Sequence, residues 1–194
     1  MPNEEHAIVL DYLPRGKSSS VKTEPIAQVL GTDFFSLLEV VPKRELKIGS
    51  TVYIGKDTRE DIELIKRRIP FKELTSTASG EIEKAVEQVV KENQEKFVGF
   101  LNNSPAITLR RHQLELIPGI GKKHVFKILD ERQQKPFSSF LEFEERISGV
   151  GSLQKAIVRR VLTELEDESE KHHLFTRTPP RERESGRFDH ERRF

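Results

Sequence analysis

The sequence predicts an α+β protein, with a small β-barrel-like half followed by an all-helical half. Three observations predict it. Four short apolar runs separated by turn residues fill the first 56 positions. The apolar period lengthens after Thr58. Residues 108–165 contain an internal repeat with an offset of 30 residues.

The apolar runs are "HAIVLDYL", "EPIAQVLG", "FFSLLEVV" and "STVYIG", bounded by "PRGKSSS", "GTD", "PKRELKIG" and "GKD". Val, Ile, Leu and aromatics flanked by Gly, Pro, Ser and Asp are the chemistry of strands and tight turns. Phe34, Phe35 and Tyr53 are candidates for base stacking on such a barrel, but strand aromatics are more often core, and core is expected for at least two of them. "TREDIELIKRRI" spaces Ile62, Ile65 and Ile69 as a short helix ending before Pro70, with Thr58 and Asp61 as a capping pair. Its Lys66–Arg67–Arg68 run is the densest basic cluster of this half, and on a helix it reads as a solvated face. "SGEIEKAVEQVVKENQEKFVGFL" aligns Ile82, Val86, Val89, Phe97 and Leu101 on one face of a longer helix, capped by Ser79 and stopped at Pro105. The resulting division is a barrel over 1–74, a linking helix over 75–107, a helical unit over 108–168 and a basic, disordered tail over 169–194, with disorder expected beyond about Thr178 and Phe175 docked.

In the repeat, "LIPGIGKKHVFKIL" aligns with "RISGVGSLQKAIVRRVL". Gly119 matches Gly149, Ile120 matches Val150, and Gly121 matches Gly151. Pro118 stops the preceding helix, Gly119 permits a positive φ, and Ile120 points inward to pin the turn. Gly121 lets an outside group approach the backbone. The next helix then begins with N–H groups that lack intrahelical acceptors, at the positive end of the helix dipole. Those features favour an anion. Lys122 and Lys123 follow with no acid beside them, an arrangement that costs about 0.3–1 kcal/mol per lysine unless a negative charge binds between them. The spacing therefore points to phosphate binding at the first turn. Arg110, Arg111 and Lys127 widen the basic footprint. In the second copy Ser148 replaces proline and Ser152–Leu153 replaces the lysine pair, with Lys155 a turn later. Gly149 and Gly151 are expected to complete the pseudo-symmetric fold, with phosphate binding there as open as a purely structural role.

These residues resemble the helix-hairpin-helix motif, duplicated as in two-motif domains of that type. The resemblance implies contact with nucleic-acid backbones through the hairpin glycines and the basic residues after them. "LKIGSTVYIG" resembles the edge hairpin of an OB-like or SH3-like barrel. The expected fold is thus a small OB-like β-barrel followed by an all-α duplicated helix-hairpin-helix domain. Taken together, the halves resemble an archaeal family of unknown function to which RNA binding is generally ascribed and whose genes neighbour translation genes. That resemblance implies an RNA- or rRNA-related role and supplies no reaction or binding residues.

Composition narrows the remaining classes. No cysteine is present, which excludes disulfides, thiol catalysis and cysteine metal sites. No apolar run spans a bilayer and the N-terminus has no signal-peptide pattern, so a cytoplasmic protein without membrane contact is expected. Net charge is +1, but residues 108–165 carry eleven basic against seven acidic side chains, while 1–74 carry twelve of each. The excess lies around the glycine turns. Gly16–Lys17–Ser18 matches the end of a P-loop, but the glycine that should open it is Asp11. His112, His172 and His173 lack metal-ligand spacing, and no cofactor is expected. DNA glycosylases share the hairpin but need an aspartate where "KPFSSFLEF" has none, and Asp130 comes too early. Glu142, Glu144 and Glu145 read as the solvated face and cap of one helix. A non-catalytic nucleic-acid-binding protein is expected, RNA favoured. DNA binding in repair or recombination and a protein–protein adaptor with structural hairpins are the alternatives.

Overall fold

A computed structural model describes residues 4–16 and 24–177. The Lys17–Ser18 stretch and the tail beyond Arg177 lie outside the described residues. The fold is mixed: a curled five-stranded antiparallel sheet with five α-helices. Strands β1 (His6–Leu13), β2 (Ile26–Gly31), β3 (Leu37–Pro42), β4 (Thr51–Tyr53) and β5 (Ile62–Arg68) pair in the order β4-β1-β2-β3-β5. The sheet is open, because β4 and β5 are its two edges and do not pair with each other.

Both faces of the sheet are apolar, and strand alternation explains why. Ala7, Val9, Val29, Val40 and Val52 point into the concave side, which Leu46 and Ile54 help close. Ile8, Leu10, Leu30 and Leu37 point to the other side and join a larger core built from the helices. The first four strands lie where their apolar runs are. The fifth does not follow the expected helix over 58–69. Bulges at Glu63 and Lys66 let β5 pair with β3 while burying Ile62, and Arg67 stands opposite Glu39 with a 2.9 Å ion pair. Isoleucines at spacings of three and four match a helix, but β-branching favours a strand, and pairing with the free edge of β3 through two bulges overrides the period. The basic cluster is used internally: Lys66 pairs with Glu24, Arg67 with Glu39 and Glu73, and Arg68 donates to the Arg177 carbonyl. Phe35 is buried, with φ +52, in the β2–β3 turn, where the buried Glu4 carboxylate accepts from the amides of Asp33, Phe34 and Ser36.

The single long helix expected over 79–101 is two helices, α1 (Ser76–Glu92) and α2 (Gln94–Asn103), broken at Asn93. The cap is Thr75 and not Ser79. Its hydroxyl accepts from the Ala78 amide and donates to the buried Asp11 carboxylate at 2.6 Å, fixing the helix to β1. Ser79 instead lies in the first turn, because a cap four residues earlier is tied to the sheet. α1 buries Ala78, Ile82, Ala85, Val86, Val89 and Val90, and α2 buries Phe97, Val98 and Leu101.

Residues 108–165 are not wholly helical. β6 (Ala106–Thr108) and β7 (Arg111–His112) form a small hairpin, and only a 3-10 turn (Gln113–Leu116) precedes the first glycine turn. Buried His112 caps that turn: its Nδ1 accepts from Leu114 N, while Glu115 accepts from the His112 amide. Burial, aided by Arg132, lowers the His112 pKa and favours the neutral ring. Then follow α3 (Lys122–Gln134), α4 (Phe140–Arg146) and α5 (Leu153–Glu166). The larger core runs through sheet, linking helices and this region, on both sides of position 107.

Ser139 caps α4, its hydroxyl accepting from the Glu142 amide, while the Glu142 carboxylate turns elsewhere. That carboxylate accepts from Arg146 at 3.2 Å and from Ser138 and Lys135 at 2.9 Å, and the bonds from Ser138 and Lys135 push its pKa down to about 2. The folded value lies below the unfolded one, so this contribution is full above about pH 4.5 and is lost as pH falls through about 2. A carbon-13 titration of the Glu142 carboxyl should show no protonation at pH 4; a midpoint near 4.5 would contradict these contacts.

Candidate nucleic-acid interface

The two glycine turns lie against each other. Gly119 has φ +89, and a Cβ on it would stand 3.1 Å from the Val150 carbonyl oxygen. Gly149 has φ +91, and its Cβ position faces His124 Nε2 at 3.3 Å. Ile120 and Val150, the residues between the glycines, are both buried. The repeat therefore sets the two turns side by side at Gly119 and Gly149, with Ile120 and Val150 buried beneath them. Gly121, unlike Gly151 with φ +76, has φ −91, and nothing lies within 4 Å of the Cβ it lacks.

The amides expected to meet an anion divide into two groups. Ile120 N–H donates to the Ile117 carbonyl at 3.1 Å, and Gly121 N–H to His124 Nδ1 at 3.3 Å. Those two are engaged within the turn. The reason is local: the chain reversal at Gly119 closes one bond, and the histidine three positions into α3 reaches back to the cap. The backbone N–H groups of Lys122 and Lys123, the first two residues of α3, donate to no acceptor among the described residues. Both lysine side chains are exposed, and neither forms an ion pair among the described residues.

The second turn has the same framework and a different occupant. Leu153 N–H, at the first position of α5, donates to Glu144 Oε1 at 2.7 Å. A carboxylate of the chain itself thus sits on the positive end of α5, where the first turn presents bare amides and two cations. Lys155 is exposed at the third position of α5, and the Leu153 amide beyond Gly149 and Gly151 is engaged by an internal anion. Glu144 was read as a solvated face because the contact spans nine residues of sequence and a turn whose path only the fold defines. His124 was also missed, although its place three residues after Gly121 is a capping position legible in the sequence.

The outlying basic residues are distributed on either side of this turn in the chain. Arg110 lies in the exposed β6–β7 turn beside Leu109, which is wholly exposed, and Arg111 is exposed at the start of β7. Lys127 is exposed on α3. Phe126 is 68% exposed on the same helix, outside the Val125–Ile128 stripe that packs into the core. Among the described residues no group of three or more His, Asp or Glu side chains could hold a metal ion, and no helix is long and apolar enough to cross a membrane.

Comparison with known proteins adds three findings. A family model described as "Protein of unknown function (DUF655)" matches residues 3–177. The uncharacterised protein MJ0038 of Methanocaldococcus jannaschii is 42% identical over 177 residues, covering 90% of this chain and 80% of the relative. The crystal structure of Af1531 from Archaeoglobus fulgidus, itself assigned to DUF655, matches with a TM-score of 0.79 at 38% identity, covering 90% of this chain and 100% of that one.

Proposed function

The chain belongs to the DUF655 family, and from that premise and the first glycine turn we propose a non-catalytic nucleic-acid-binding protein that grips phosphates at the α3 N-terminus. In this reading the adjacent turns are a duplicated helix-hairpin-helix unit and the curled sheet is an OB-like half. RNA is favoured over DNA, in a translation- or rRNA-related role, on the family resemblance drawn from the sequence. The carrying observation is the contrast between the two turns. Where the first two helical positions are Leu153 and Gln154, the chain supplies its own carboxylate, Glu144, to the first amide. Where they are Lys122 and Lys123, the amides are left bare and the site is exposed. Helix N-termini and cations together are suited to phosphate oxygens. Arg110, Arg111 and Lys127 extend the charge available to a long polyanion.

The two glycines of the turn should separate folding from binding. Gly119→Ala forces a side chain into the left-handed region against the Val150 carbonyl, and should lower stability by about 1–2 kcal/mol. Gly121→Val meets open space at an ordinary φ, and should change stability by less than about 1 kcal/mol. It should still weaken binding, because the added methyls occupy the approach to the Lys122 and Lys123 amides. The test is fluorescence anisotropy with a structured RNA and a duplex DNA at one salt concentration, beside urea unfolding of each variant. A Gly121→Val protein that loses stability with no separable loss of binding would make that glycine structural. Absence of binding to either nucleic acid at low salt would reject the proposal, leaving the turns as scaffold for a protein contact.

A further inference from the structure

Among the described residues Phe126 is the most exposed large aromatic side chain, and it stands on the helix that carries the lysine pair. It lies four residues after Lys122 and three after Lys123, the two spacings that share a helix face. Side chains on a helix lean toward its N-terminus, so Phe126 covers the turn that begins with those lysines. Val125 and Ile128 face the core, which places Phe126 with Lys123 and Lys127 on the outward side. An aromatic ring bordered by three cations, beside two bare amides, complements a ligand that carries negative charge and a flat apolar face at once. A nucleotide with an unpaired base has both. In a duplex the base faces are stacked inside and cannot reach such a ring.

The neighbouring turn differs at its helix start. Glu144 takes the first amide of α5, whereas the first two amides of α3 have no acceptor among the described residues. We propose, building on the phosphate grip at α3, that Phe126 is a stacking platform for an unpaired base, and that the ligand is a single-stranded segment, such as a loop or an end. The phosphate attached to that nucleotide lies at the Lys122 and Lys123 amides. The ring adds affinity without adding charge.

The test compares a single-stranded RNA 12-mer with a duplex RNA of the same length, by anisotropy across a salt series, for the wild-type chain, Phe126→Ala, Phe126→Tyr and Lys122→Ala/Lys123→Ala. Phe126→Ala should weaken single-strand binding about tenfold and leave duplex binding and the salt slope unchanged. Phe126→Tyr should restore the single-strand affinity. Because the side chain is exposed, unfolding midpoints should stay within error, which keeps the readout on binding. If binding depends on the lysine pair but Phe126→Ala has no effect, or lowers both affinities alike, the stacking inference is overturned while the phosphate grip stands. If the lysine pair does not matter for either RNA, the phosphate grip itself is rejected.

Discussion

Lys122→Ala combined with Lys123→Ala should weaken RNA binding by ~10- to 100-fold at physiological salt and flatten the dependence of log K on log salt by up to ~1 per lost contact. The two lysines neutralise phosphate charge and release counterions, so both affinity and slope carry their signature. The bare amides remain in the variant, so some affinity persists at low salt. Stability should move the other way. Two cations removed from the positive end of α3 relieve about 0.3–1 kcal/mol each, so the unfolding midpoint should hold or rise. A surface that becomes more stable when its charge is removed is one whose charge serves binding. Equal affinity and slope for variant and wild type would instead favour an adaptor whose turns are structural.

The second large effect concerns the far end of α5. Glu164→Ala should cost about 3–5 kcal/mol of unfolding free energy. The carboxylate is 2% exposed and fully engaged. It accepts from the amides of Leu174, Phe175 and Thr176 at 2.8, 3.0 and 2.9 Å, from the Thr176 hydroxyl at 3.0 Å, and from Arg160 Nε at 2.8 Å. Arg160, also buried, reaches on to Glu170 and to the His172 carbonyl. This network straps the segment after α5 back across the molecule. Phe175 then packs edge-on against Phe97 and Phe100 of α2, and the Arg177 amide reaches the Phe34 carbonyl on the sheet. Removing the carboxylate leaves two buried amides, the half-buried Leu174 amide and one guanidinium short of their acceptor. For a domain stable by roughly 5–15 kcal/mol, such a loss is a large fraction. Urea unfolding measures it, and amide exchange at Leu174, Phe175 and Thr176 locates it. Glu164→Gln keeps the shape and one acceptor oxygen, so it should fall between. A loss below ~1 kcal/mol for the alanine variant would show that the strap contributes no stability.

The strap illustrates what the sequence left unreadable. "HHLFTR" is short, polar at both ends and follows four acids, so nothing in its composition tells it from the tail beyond. Only Phe175 signalled a docked segment, and it is docked. Its anchor is a glutamate that looks, in sequence, like the other acids around it. The same holds for Glu144, which resembles its neighbours Glu142 and Glu145 and differs only in reaching an amide at the start of α5.

The sequence by itself determined the first four strands, the apolar stripes of the helices and the paired glycine turns. Each rests on a local cause: side-chain alternation, helical periodicity, or a backbone angle open to glycine. Tertiary structure alone decided that residues 62–68 form a strand, since β3 offered an edge to pair with. It decided that Thr75 caps α1, because buried Asp11 holds its hydroxyl. It also decided that Glu144 takes the first amide of α5, while the first two amides of α3 keep no acceptor among the described residues. That difference depends on whether a carboxylate from elsewhere in the chain can reach the helix start, a matter of position in space that no local pattern encodes.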